Sequence, residues 1–287
     1  MKRAYTFFVL LIGTVINLSA QNSIRPNLYF QDMNFYNPAH ISMDSSQNYC
    51  FSLLGSYKFI KNEEAIWKKP MSVYLNHIGR IKHNNLYYSV SYLNDSYSFF
   101  NRNGLNLGIT YQLKWGKSSS FSFGGRAVFN FDAVNWDKLM LPLDKTGTTL
   151  IFNPDLDFGI EYKVKGFTVG LGTQNLIGYG TKIEHEKLIE NRRVASLNVS
   201  YLFDIGQNFK IAPLAMLYWD RKMMYDLGVY LSMYEYAKVS YVIRINELRN
   251  IFTADIRIIP HLYLGAAFDF SLVLPDKNLG VVLKYGF

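Results

Sequence analysis

The feature that most constrains this chain is an alternation of apolar and polar residues, with a period of two, that recurs from Tyr49 to the last residue. Its cleanest instance sets Leu105, Leu107, Ile109, Tyr111 and Leu113 on one side of an extended strand, against Asn106, Gly108, Thr110 and Gln112. The final stretch repeats it, with Leu279, Val281, Leu283, Tyr285 and Phe287 opposite Gly280, Val282, Lys284 and Gly286, and the chain ends on that last aromatic ring. About 14 such segments follow one another. The segment 121–132 decides which side faces what. Phe121, Phe123, Ala127, Phe129 and Phe131 oppose Ser122, Gly124, Arg126, Asn130 and Asp132. A slip of one residue would turn Arg126 and Asp132 outward. In a membrane barrel, a basic side chain at the midplane costs roughly 2–4 kcal/mol. The aromatic side therefore faces hydrocarbon, and the expectation is an all-β, transmembrane, antiparallel up-and-down barrel of about 14 strands.

The connections provide a separate reading. Residues 60–69, 94–103, 133–153, 176–193, 218–224 and 271–278 read as long connections, and 163–166, 204–208, 234–236 and 259–261 as short ones. Alternating short periplasmic turns and long extracellular loops is the pattern of such barrels, and it puts both chain ends in the periplasm. The exception is the short connection 245–250. The segment 209–217 departs in another way, being apolar on both sides and holding Pro213.

Composition agrees with a barrel. Tyr and Phe number 22 and 21, yet mean hydropathy is near zero, as expected when lumen residues offset lipid-facing ones. No interior apolar run reaches the roughly 20 residues of a transmembrane helix. Residues 1–20 read as a secretory signal peptide: Lys2 and Arg3, an apolar stretch over 4–16, then Leu18-Ser19-Ala20 before Gln21. Its removal takes the 30 basic residues to 28 against 22 acidic, leaving +6. The basic residues are scattered singly, which excludes a nucleic-acid footprint.

Residues 21–48 lack periodicity and read as an N-terminal arm at the barrel mouth or inside the lumen, with residues 49–287 forming the barrel. A lumen of this girth holds water, a ligand or an inserted segment, and the arm is long enough to be a plug. Cys50 is the sole cysteine and allows no internal disulfide. None of His40, His77, His83, His185 and His261 pairs with another at metal-ligand spacing on one strand face, so no cofactor or metal is expected. Asp155, Asp157 and Glu161 gather on one lumen face, and with Arg126 on the preceding strand they form a candidate charge network. A rim-sited hydrolase would need an Asp/His/Ser cluster, which these residues do not supply. The outer connections carry Trp136, Leu139, Met140, Leu141 and Leu143, then Tyr179 and Ile183, as candidate partner-binding anchors. The bland alternative is that these connections fold over the barrel mouth.

Tyr29-Phe30-Gln31-Asp32 and Phe35-Tyr36-Asn37-Pro38-Ala39, with Asn175-Leu176 after the glycine-rich strand 169–173, resemble the PorP/SprF family of type IX secretion outer-membrane proteins of Bacteroidetes. The pattern Asn278-x-Gly280-x-x-Leu283-x-Tyr285 ending at Phe287 resembles the signal read by the barrel-assembly machinery. His40, Ile41 and Ser42 replace the family's usual continuation after Asn-Pro-Ala. The resemblance implies a non-enzymatic outer-membrane protein in contact with lipid and other type IX components. It further implies retention of a secreted cargo, such as the C-terminal domain of a gliding adhesin, at the cell surface. A passive channel or hydrophobic-solute transporter is the alternative from a different class.

Overall fold

The computed structural model describes residues 28–43, 47–60, 70–81, 85–97, 99–116, 118–138, 146–178, 180–183, 186–206, 208–234, 236–273 and 276–287. The strands run in chain order. The first seven are β1 (Tyr49–Ile60), β2 (Met71–Ile81), β3 (Leu86–Tyr97), β4 (Phe100–Trp115), β5 (Ser119–Asn135), β6 (Thr148–Val164) and β7 (Phe167–Gln174). After β8 (Gly180–Ile183) and β9 (Glu186–Glu190) come β10 (Val194–Tyr201), β11 (Phe203–Ile205), β12 (Phe209–Asp220) and β13 (Lys222–Met233). The last four are β14 (Ala237–Arg244), β15 (Arg249–Ile259), β16 (Leu262–Ser271) and β17 (Asp276–Gly286).

Each wall strand pairs antiparallel with its sequence neighbours. The sheet closes where β1 meets β17, from Cys50 opposite Gly286 to Ile60 opposite Asp276. The amides of Asn48 and Tyr49 both donate to the carbonyl of Phe287, so the last residue finishes the seam. β10 and β11 share one position beside β12, which makes 14 positions of the 15 strands in the sheet. Their break at Leu202 lies opposite Ala212 and Pro213 and has a simple cause: proline has no amide to give the ladder. β8 and β9 form a separate two-stranded sheet within the outer connection 175–193.

The faces alternate as the charge argument requires. Leu107, Ile109, Phe131, Phe158 and Val281 are exposed on the outside. Arg126, Asp132, Asp157, Glu161 and Asp255 are buried on the inside. Tyr49, Tyr285 and Phe287 cluster outward at the seam, as an interfacial aromatic belt does.

Two of the expected long connections are tight turns instead. β3 runs to Tyr97 and β4 starts at Phe100; β12 runs to Asp220 and β13 starts at Lys222. The apolar alternation fades before the ladder does. β5 and β6 are 17 residues each, on the order of 55 Å along the strand at about 3.3 Å per residue. The apolar band of such a barrel is about 25 Å tall, so even when tilted the strands outrun it, and their polar outer ends look like loops in sequence. Both ends of the expected connection 133–153, residues 133–135 and 148–153, are strand for the same reason.

Candidate functional site: a filled lumen and two outer connections

The interior is occupied by the arm. Residues 28–43 enter as two 3₁₀ turns, Tyr29–Gln31 and Met33–Phe35, joined by an extended Asp32 whose carboxylate accepts the amide of Asn34. Tyr29, Tyr36, Asn37 and Ala39 are wholly buried. Inserting polar backbone into a closed space demands partners, and the wall supplies them. Arg126 donates to the carbonyls of Asn34 and Phe35, both at 2.8 Å. Gln174 donates to Phe35 O (2.8 Å) and Thr110 to Pro38 O (2.6 Å). The Asn37 side chain donates through Nδ2 to Ile160 O at 3.1 Å. Tyr29 OH donates to Asp226 (2.6 Å), Gln31 to Thr253 (2.8 Å), Asn76 to Asp32 (2.8 Å) and Lys284 to Gln31 (2.6 Å). With His40 against Glu161 at 2.6 Å, the arm is tied to β2, β4, β5, β6, β7, β13, β15 and β17.

The four residues of the candidate charge network take different partners. Arg126 pairs with Asp157 at 2.6 Å, both sides nearly fully buried. Glu161 takes His40 of the arm and Lys163. Asp155 accepts the amide of Ile177, and the other oxygen of Asp157 accepts the amide of Asn175. Asp155 and Asp157 thus fasten the start of the outer connection 175–193 to the wall. Asn175 sits there with φ 56°, a left-handed conformation that asparagine tolerates, and its side chain donates to Arg192 O at 2.8 Å. Further pairs ring the outer half of the lumen: Arg102 with Asp132, Arg244 with Asp226, and Arg249 with Asp269.

The candidate anchors divide. Trp136 is 5% exposed, packed with Val134, Ile151, Phe99 and Phe100, and donates its indole N–H to Thr149 at 2.6 Å. It is the buried foot of its connection and not an exposed anchor, because an indole folded onto β5 and β6 shelters apolar area that water would otherwise meet. Leu139, Met140, Leu141, Leu143 and Tyr179 lie outside the described residues, as do the signal peptide, His83 and His185; Ile183 is placed only as part of β8. Leu176 and Ile177, at the base of the second connection, are 43% and 50% exposed.

Inward glycines escaped the sequence reading as site residues. A β-carbon at Gly124 would overlap the Pro38 backbone, at Gly159 the Asn37 side chain, and at Gly172 Tyr36 O; at Gly170 it would lie 2.6 Å from Asn37 Nδ2. Glycine inside a strand marks close approach of another backbone, and these four sit on the faces of β5, β6 and β7 that meet Tyr36-Asn37-Pro38-Ala39. That was the legible signal.

A closed barrel with an apolar belt, an inward charge lattice and its own N-terminal segment in the lumen is an integral outer-membrane β-barrel of the plugged kind. Residues 18–279 match the family of type IX secretion system membrane proteins PorP/SprF, and the chain belongs to that family. It is accordingly a multi-pass outer-membrane component of type IX secretion. No curated protein matches its sequence. Among solved structures it is similar to the Ralstonia pickettii toluene transporter TbuX, with TM-score 0.56 and 9% identity over 95% of this chain and 96% of that one. The Pseudomonas putida toluene transporter TodX gives 0.52 and 8% over 95% and 99%. The Acinetobacter baumannii outer membrane protein Omp33 gives 0.50 and 12% over 85% and 100%. At these identities the likeness speaks for the barrel fold alone.

Proposed function

We propose that this barrel is a non-enzymatic surface anchor that binds a secreted type IX cargo, such as an adhesin, and retains it at the cell surface through the outer connections 136–147 and 175–193. The observation that carries the reading is the lumen. Sixteen residues of arm, bonded to eight wall strands, occupy the space a solute would cross. What remains for recognition is the outer surface. There, Leu176 and Ile177 expose apolar area beside the β8–β9 hairpin, and apolar anchors carry much of the energy in protein docking. The carboxylates of Asp155 and Asp157 hold the base of that connection in place, so the surface is presented by a rigid support.

The test replaces residues 139–145 with a short Gly/Ser turn. The expected result is cargo released into the medium while the barrel still migrates as a folded, heat-modifiable species. Unchanged retention on the cells defeats the reading. The alternative, a passive channel or hydrophobic-solute transporter, needs a continuous path through the lumen, and the buried arm weighs against it. Conductance of the purified full chain in liposomes separates the two.

A further inference from the structure

On the outward face of β3 and β4, three asparagines stand together where the apolar belt ends. Asn94 is opposite Asn103, and Asn101 lies one outward position further from the membrane centre on β4. Asn94 Nδ2 donates to Asn103 Oδ1 (2.9 Å) and Asn101 Oδ1 (3.2 Å); Asn103 Nδ2 donates to Asn101 Oδ1 (2.9 Å). Tyr92 OH, one outward position below, donates to Asn103 Oδ1 at 2.7 Å. Both donor hydrogens of Asn94 and two acceptor oxygens are thereby used. Asn94 Oδ1 and Asn101 Nδ2 have no partner among the described residues, so the cluster keeps an open carboxamide acceptor and open carboxamide N–H donors. Beside it, Phe131 is paired with Asn103 across the strands and meets Phe152 at a centroid distance of 5.1 Å. The two rings are 52% and 50% exposed.

We propose that this patch is a binding site for the sugar headgroup of an outer-leaflet glycolipid. An acceptor–donor pair of carboxamides matches vicinal hydroxyls, and exposed aromatic faces suit the C–H face of a pyranose and the upper acyl chains. The level is right: Leu105 and Leu107 continue directly below Asn103 as exposed belt residues. The chemistry favours sugar over phosphate, because the outward positions of β3, β4 and β5 hold no basic side chain among the described residues. A second Tyr–Asn bond, Tyr241 OH to Asn250 Oδ1 at 2.7 Å, lies on the outward face of β14 and β15 without a carboxamide cluster. It provides an internal control for a generic boundary marker.

The experiment purifies the full chain from outer membranes in detergent and quantifies retained lipopolysaccharide and phospholipid by mass spectrometry. The triple variant N94A/N101A/N103A should lose bound lipopolysaccharide roughly tenfold, as expected for two or so hydrogen bonds removed, with phospholipid unchanged. N250A should retain it. The same comparison with phosphatidylethanolamine vesicles, with and without lipopolysaccharide, should show the preference only for the wild-type cluster. Equal retention in the triple variant overturns the proposal. So does equal loss in N250A.

Discussion

The two walls that face each other across the lumen hold the arm by different means. On β4 to β7 the inner surface is cut away at Gly124, Gly159, Gly170 and Gly172, and the arm's backbone lies directly on the sheet. The bonds there are read from main-chain carbonyls by Thr110, Arg126 and Gln174. Across the lumen the wall is bulky. Leu54, Tyr74, Met216, Tyr218, Val242, Ile251 and Val282 form one apolar core with Tyr29, Phe35 and Tyr36. Tyr36 meets Tyr218 edge-on at 5.3 Å, and Phe35 meets Tyr74 at 5.2 Å. One wall yields space and binds the arm's main chain; the other fills space and ties down the arm's side chains, through Asn76, Asp226, Thr253 and Lys284. The contrast teaches that the arm acts as the barrel's core as well as its plug. It also accounts for the segment 209–217 being apolar on both sides, since Leu214 and Met216 face the arm while Ile211 and Ala215 face outward.

The largest effect expected from breaking this arrangement is that of deleting residues 28–43. The bulky wall would lose its packing partner and water would enter the lumen. Planar-bilayer recordings should then show steady ion conductance that the full chain lacks; identical traces would mean the arm does not seal the barrel. Next is Arg126→Met. It leaves Asp157 buried without its ion-pair partner and frees two arm carbonyls, a cost of about 3–5 kcal/mol by analogy with other buried pairs. Urea unfolding of the barrel in detergent micelles checks it, and a loss no larger than that of an exposed charge would remove Arg126 as the chief polar clamp. The smallest effect sharpens the contrast between close and open glycines. Gly172→Val should cost about 1–3 kcal/mol by overpacking against Tyr36 O. Gly55→Val, where a β-carbon would meet nothing within 4 Å, should be near neutral in the same assay. Equal costs would show that the glycine floor is incidental.

Much of this was legible in the chain. The period of two, with Arg126 and Asp132 on one side of a strand and five apolar residues on the other, leaves one orientation affordable in hydrocarbon, so the sequence by itself determined a membrane barrel, its strand number and its lipid face. The aromatic arm with Asn37-Pro38-Ala39 determined the family. Tertiary structure alone decided which loops are loops, because a ladder of paired strands continues past the apolar belt wherever neighbours remain to bond, as at Tyr97 and Phe100. It also decided that Trp136 is buried and that Asp155 and Asp157 hold a loop. Finally, it brought Tyr29, Asn37 and Arg126 together in one lumen. Such contacts join residues up to 253 positions apart, and local periodicity carries no record of what a strand will meet across a closed sheet.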